Sequence, residues 1–268
     1  MDEKILEIKD LTVSFGENRV IEDVSFSIKR GEVTALVGES GSGKTMTALS
    51  ILDLLPDTAC RRKGEILFDG KNIFDLGPEE LRDMRGNAIA MVFQEPFTAL
   101  NPVIRIGRQI AEAVSAHGIC PRSEVRERIK ESLSTVRLPE ETVYQYPHEL
   151  SGGMRQRVML SMALSCDPAI LILDEPTTAL DVSIQKHILD LIRHIQKDRQ
   201  LTVLFITHDF SVVRTIADKV CVMRRGRVVE QGAKEDVLGE PACEYTRQLI
   251  ACIPVLGDKR ERLPVVDG

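Results

Sequence analysis

The sequence predicts an α/β fold, and three observations predict it. Val33-Thr34-Ala35-Leu36-Val37 is a nearly all-apolar run of strand length that opens into a glycine-rich stretch and then a helical pattern. Ile170–Leu173 and Val203–Ile206 are further apolar runs of strand length. Between them, from Ser183 to about Arg199, Ile184, Ile188, Leu191, Ile192 and Ile195 make one apolar helical stripe. Strands buried on both faces and alternating with helices are the pattern of a parallel sheet covered by helices.

The remaining elements follow in order. Ile5–Ile8, Thr12–Phe15 and Val24–Ile28 alternate polar and apolar residues, as antiparallel strands with one wet face do. A helix is expected from Lys44 to about Leu54. Gly64–Gly70 reads as a strand ending in an Asp-Gly turn, and Ile89–Phe93 as a second buried strand ending at Gln94. Residues 107–166 read as successive helices punctuated by Pro121, Pro139 and Pro147, an insertion between core strands. Two short strands, Val220–Met223 and Val228–Gln231, turn at Arg225-Gly226. A helix from about Glu244 to Ala251 and a polar tail close the chain.

With 268 residues the chain can bury a sizeable core. Its 43% hydrophobic and 28% charged residues are those of an ordinary globular protein. No run of apolar residues is long enough to cross a membrane, and Met1-Asp2-Glu3-Lys4 does not read as a secretory signal. A net charge of -6 argues against broad nucleic-acid binding. The absence of Trp leaves few platforms for stacking single-stranded bases. Six cysteines without a Cys-x-x-Cys pair read as reduced thiols rather than a metal cluster.

Two motifs carry chemistry. Gly38-Glu39-Ser40-Gly41-Ser42-Gly43-Lys44-Thr45 fits the phosphate-binding pattern. Its glycines let successive backbone N–H groups turn toward phosphate oxygens, and the helix that follows adds its positive end. Lys44 would reach the β- and γ-phosphates, and the Thr45 hydroxyl would bind Mg²⁺. Asp174 and Glu175 end an apolar strand, where a carboxylate is costly unless it serves a metal or a hydrogen bond. Asp174 would hold Mg²⁺ through water, and Glu175 would act as general base on the attacking water. Gln94 and His208 each follow a core strand, where an open α/β sheet places its ligand crevice. The Gln94 amide could touch Mg²⁺ or the water, and His208 the γ-phosphate. Leu150-Ser151-Gly152-Gly153 begins a helix with an N-capping Ser and bare backbone, which reads either as a plain cap or as an anion site.

Together these residues resemble the nucleotide-binding subunits of ABC transporters, over residues 5–255. Gly38–Thr45, with Met46 after it, is similar to the Walker A loop, and Ile170–Glu175 to Walker B with Glu175 catalytic. Gln94 is similar to the Q-loop glutamine, and His208 to the switch histidine. Ser151-Gly152-Gly153-Met154-Arg155-Gln156 resembles the signature motif, and Thr178-Ala179-Leu180-Asp181 the D-loop. Phe15 stands where the family often places an adenine-stacking Tyr. The resemblance implies a P-loop NTPase with a RecA-like core and an antiparallel β subdomain (1–94 and 168–240). It also implies an inserted helical signature subdomain (about 95–167) and a C-terminal helix and tail (241–268), all in a single nucleotide-binding domain. It further implies ATP and Mg²⁺ bound between two subunits, the signature acting in trans.

Phe93–Pro102, Asp174–Val182 and Tyr245-Thr246-Arg247-Gln248-Leu249-Ile250 resemble the peptide/nickel importer subfamily. That implies two transmembrane permeases, a sister ATPase in a heterodimeric sandwich and an extracytoplasmic binding protein. It places the chain at the cytoplasmic face of the inner membrane, driving uptake of nickel, a metal chelate or small peptides. The short form is similar to the nickel-type first ATPase subunit, which leans the cargo toward nickel over di- or oligopeptides. A competing reading is a soluble ABC-type ATPase acting on DNA or ribosomes, although the chain shows neither coiled-coil arms nor a second ATPase unit. A GTP switch is disfavoured, because Asp83-Met84-Arg85-Gly86 comes without an Asn-Lys-x-Asp guanine reader.

Overall fold

The computed structural model describes residues 3–56, 60–94, 99–178 and 180–252. Parts of two expected motifs, Glu95–Thr98 after Gln94 and Ala179 of the D-loop, lie outside the described residues, as does the polar tail from 253 on.

In chain order the elements are β1 (Lys4–Phe15), β2 (Asn18–Lys29), β3 (Val33–Val37), α1 (Lys44–Ile51), β4 (Cys60–Phe68) and β5 (Lys71–Asn72). Then come α2 (Pro78–Asp83), β6 (Ile89–Val92), α3 (Ile106–Ala116), α4 (Val125–Thr135), α5 (Gly152–Leu164), β7 (Ile170–Asp174) and α6 (Val182–Arg199). The last are β8 (Thr202–Thr207), α7 (Phe210–Ile216), β9 (Lys219–Arg224), β10 (Arg227–Ala233), α8 (Lys234–Gly239) and α9 (Glu244–Ala251). The chain divides into two compact units, Met1–Asp75 with Leu204–Gly268, and Leu76–Val203.

The first unit holds an antiparallel sheet ordered β2-β1-β4-β5 and a second sheet segment ordered β10-β9-β3-β8. β3 and β9 run parallel, Ala35 opposite Val220 and Val37 opposite Val222. All five residues of β3 and all six of β8 are buried, as their apolar runs require. The two sheets are joined by hydrogen bonds from Lys219 Nζ to Ser27 O (2.8 Å), Gln231 Nε2 to Ser25 O (3.2 Å) and Glu22 N to Gly226 O (2.8 Å). Against β3 and β9 pack Phe210, Val213 and Ala217 from the α7 stretch, Val237 of α8 and Tyr245 of α9.

The second unit pairs β6 with β7 in parallel, Ile89 opposite Ile170 and Val92 opposite Leu173. Ile106, Ile110 and Val114 of α3, Ile129 and Leu133 of α4, and Val158, Leu160 and Leu164 of α5 are buried. Gln109 is only 6% exposed and fastens the stretch before its own helix. Its Oε1 accepts from Asn101 N (2.9 Å), and its Nε2 donates to Asn101 O (3.0 Å) and Ile104 O (2.7 Å).

Most elements lie near where the sequence places them, although β2 begins at Asn18 rather than Val24, β4 begins at Cys60 rather than Gly64, and β5 was not expected; three further differences follow. The expected strands Ile5–Ile8 and Thr12–Phe15 are one strand, because the chain passes through a bulge at Asp10 (φ 49) without leaving the sheet. The helix from Lys44 ends at Ile51 rather than near Leu54. Helices α7 and α8 were not expected; at 7 and 6 residues each is too short to show a stripe, and both are held by packing on the sheet.

Candidate functional site

In the first unit, β3 delivers the chain directly into Gly38, and α1 begins at Lys44. A side chain at Gly38 has no room, since a Cβ there would stand 2.2 Å from the Met223 carbonyl oxygen. Gly43 has φ 103, the left-handed region, and a Cβ there would lie 2.9 Å from the Val20 carbonyl oxygen. The loop is tied to the β9–β10 turn by Gly226 N, which donates to Ser42 O at 3.0 Å. These contacts hold Gly38–Thr45 as a tight backbone cradle, the form that phosphate recognition requires.

Lys44 is 5% exposed and its ammonium lies within the loop. Nζ donates to Gly38 O (2.7 Å) and Glu39 O (2.8 Å) and stands 3.5 Å from Ser42 Oγ. Thr45 is exposed at the start of α1, and Met46 is half-buried beside it. Phe15 ends β1, half-buried, opposite Asn18 and Cys60. His208 follows β8, exposed, just before Asp209, whose carboxylate caps α7 by accepting from Ser211 N at 2.8 Å.

In the second unit, β7 ends at Asp174, 2% exposed, and Glu175 follows with φ 47. The Glu175 carboxylate accepts from Gln94 Nε2 at 3.1 Å and from Thr178 Oγ1 at 2.9 Å. A non-glycine residue in the left-handed region is a strained conformation that surrounding contacts must hold, and here side chains from two separate loops do so. Three of the expected residues, Gln94, Asp174 and Glu175, thus come together where β6 and β7 end.

Ser151 caps α5, its Oγ accepting from Met154 N at 3.3 Å. Gly152 and Gly153 face the D-loop side of the same unit: a Cβ on Gly153 would stand 2.8 Å from Ile184 Cγ2, and one on Gly152 3.6 Å from Leu180 Cδ2. Gln156 is 2% exposed, and its Nε2 finds no hydrogen-bond partner among the described residues. Asp181 is exposed at the start of α6, its carbonyl accepting from Gln185 N at 2.8 Å. Signature and D-loop segments therefore meet, a contact the sequence does not announce.

Sequence reasoning placed Thr178 only in the stretch that resembles the D-loop and did not foresee its bond to Glu175, and it did not find the walls of the Gly38–Thr45 loop, Val20 and Met223. Val20 and Met223 reach the loop from distant segments, which nothing local signals, whereas Thr178 lies only three residues after Glu175 and its hydroxyl could have been considered as a partner. Among the cysteines whose burial is described, Cys166 and Cys221 are buried, and burial pushes the Cys221 thiol up to about 12. Among the described residues no cluster of His, Cys, Asp or Glu could hold a metal ion, and no helix is long and apolar enough to cross a membrane.

The ABC transporter family model matches residues 21–178. A probable peptide ABC transporter ATP-binding protein of Sinorhizobium fredii is 48% identical, over 98% of this chain and 81% of that protein. The oligopeptide transport ATP-binding protein OppD of Bacillus subtilis is 44% identical, over 99% of this chain and 76% of its own length. Among solved structures, a dimeric ATP-binding cassette in a post-hydrolysis state with ADP and Pi superposes with a TM-score of 0.74 at 29% identity, over 85% of this chain and 98% of that one. The α/β cassette fold and the nucleotide-binding function expected of the sequence are those of these relatives. The chain belongs to the ABC transporter family, as an ATP-hydrolysing subunit that drives an importer.

Proposed function

We propose that this chain powers the uptake of peptides, working as one nucleotide-binding domain at the cytoplasmic face of a membrane. The observation that carries the cargo assignment is the agreement of two relatives, 48% and 44% identical over nearly the whole chain, that bear peptide and oligopeptide transport names. Neither of these relatives bears a nickel transport name, so nickel is not the cargo proposed.

The hydrolytic roles follow from the residues. The Gly38–Met46 segment takes the triphosphate, with Lys44 exchanging its loop carbonyls for phosphate oxygens and Phe15 stacking on the adenine. The Thr45 hydroxyl, the Gln94 amide and the Asp174 carboxylate are hard oxygen donors suited to Mg²⁺, the last through water. Mg²⁺ when bound neutralises charge on the β- and γ-phosphates. Glu175 orients and deprotonates the attacking water, Gln94 holds that carboxylate, and His208 donates to the γ-phosphate. Ser151, Gly152, Gly153 and Gln156 act on a nucleotide held by a second cassette, with Asp181 at the same face. The dimer of the related cassette supports this two-subunit closure.

The partners in this reading are two permeases, a sister ATPase and an extracytoplasmic binding protein. A groove of about 240 Å³ in the second unit, lined by Met91, Phe93, Leu100, His117, Met159 and Cys166, supports permease docking there. It is mostly apolar, its lining includes Ala90–Phe93 directly before Gln94, and Phe93 is 45% exposed.

The test is to recover the chain from its native membranes and identify what accompanies it. Two permeases, a sister ATPase and a peptide-loaded binding protein are expected. A binding protein loaded with nickel or a metal chelate overturns the cargo, and the absence of any permease overturns the transport reading.

A further inference from the structure

We propose that Tyr245 is a positioning residue for the phosphate loop, holding Glu39 by a hydrogen bond and so coupling the C-terminal helix to nucleotide affinity. The proposal rests on the reading that Gly38–Thr45 holds the nucleotide phosphates.

Glu39 is engaged at both ends. Its carbonyl accepts from Lys44 Nζ at 2.8 Å and from Ser42 N at 3.2 Å, so its backbone is part of the loop's internal bracing. Its carboxylate accepts from the Tyr245 phenol at 2.9 Å, from a residue 206 positions away. Whatever fixes the Glu39 side chain therefore fixes the backbone oxygen that the loop lysine uses.

Tyr245 is built to be that fixture. It is 3% exposed and sits in the core cluster with Ala35 and Val37 of β3, the strand that delivers the loop, and with Val220 and Val222 of β9. The Arg224 guanidinium covers the ring, 4.5 Å from its centre. The start of α9 is pinned as well: the Glu230 carboxylate accepts from Ala242 N (2.7 Å) and Cys243 N (3.3 Å). Arg247 grips Pro241 O (3.0 Å) and Ala242 O (2.9 Å). A two-torsion aromatic side chain on a pinned helix holds its hydroxyl with little freedom. Burial, then the bond to Glu39, pushes the phenol up to about 12, so it remains a donor through the neutral range.

A core tyrosine that only packs would be replaced by phenylalanine without consequence for the loop. Here Tyr245→Phe keeps the ring and removes the one atom that reaches Glu39. The experiment is ATP titration of the full-length chain carrying Tyr245→Phe, Glu39→Ala, both together, or Lys44→Ala, with melting temperature and steady-state kinetics on each. We expect Tyr245→Phe to raise the Kd and KM for ATP roughly fivefold, with kcat within about twofold. Glu39→Ala should weaken binding similarly, and the double variant no further than either single one. Glu39→Gln, whose amide oxygen still accepts, should retain most of the affinity.

Unchanged Kd and KM in Tyr245→Phe overturn the proposal, whether or not its melting temperature falls. Additive losses in the double variant overturn it too. If Lys44→Ala binds ATP normally, the loop reading fails and the proposal fails with it; if only Tyr245→Phe is silent, the loop reading stands alone.

Discussion

Gln94 donates its side-chain amide to the Glu175 carboxylate across 3.1 Å, although the two residues stand 81 positions apart. Each follows the end of a strand, and β6 and β7 are direct neighbours in parallel register, which is why two strand ends so distant in sequence meet. With Thr178 adding a second donor at 2.9 Å, the carboxylate is held in one orientation. If Glu175 is the general base, Glu175→Gln keeps a side chain of the same shape, binds ATP as the parent does, and loses hydrolysis by about 10²- to 10⁴-fold. Turnover near the parental rate, measured as phosphate release, would remove Glu175 from that role.

The exposed helix start at Ser151 predicts a different signature. A Ser151→Arg chain should bind ATP as a monomer with parental affinity and fail to form the ATP-dependent dimer, which size-exclusion chromatography with a hydrolysis-blocked background would reveal. A dimer of parental yield would refute a signature acting across subunits.

Gly43 gives a stability prediction. With φ 103 and the Val20 carbonyl oxygen 2.9 Å from a hypothetical Cβ, alanine meets both backbone strain and a clash with rigid backbone. Gly43→Ala should cost about 1–3 kcal/mol in urea unfolding and weaken ATP binding at the same time. An unfolding midpoint equal to that of the parent contradicts this account of the loop.

The Cys221 thiol predicts how stability depends on pH. Its ordinary value of 9.0 describes the unfolded chain, and burial raises it to about 12 in the folded one. Below pH 9.0 both states keep the proton and the group contributes no slope. Between pH 9.0 and about 12 the unfolded chain releases the proton and the folded chain does not, so stability falls as pH rises, by up to about 1.4 kcal/mol per unit. Tyr245, raised from 10.0 to about 12, adds a loss of the same sign. Urea midpoints across this window should fall less steeply in Cys221→Ala than in the parent; equal slopes would show that the thiol does not carry the effect.

Much of this was legible in the sequence because its signals are local. The apolar runs of β3, β7 and β8 and the glycine loop after β3 identify themselves within a dozen residues, and the family's motifs occur in order around them. The Gln94–Glu175 bond, the meeting of Gly153 with Ile184 and the bond from Tyr245 to Glu39 were not legible. Each depends on which strands are neighbours and which helix covers them, and no periodicity within one segment encodes that. The bulge at Asp10 misled for the opposite reason, since a local break in alternation read as the end of a strand that tertiary pairing carries through.

Lys44 gives the nucleotide loop its resting character. Its ammonium is nearly sealed from water yet bonded to two carbonyls of its own loop at 2.7 and 2.8 Å. On the proposed reading of this loop, arrival of a triphosphate is a displacement reaction, in which phosphate oxygens compete with Gly38 O and Glu39 O for the same hydrogens. The affinity gained is a difference between two sets of bonds, far below the gross attraction of the charges. On the same reading ATP would leave by the same exchange, without stranding a bare cation, so the loop would be as well suited to releasing nucleotide as to seizing it.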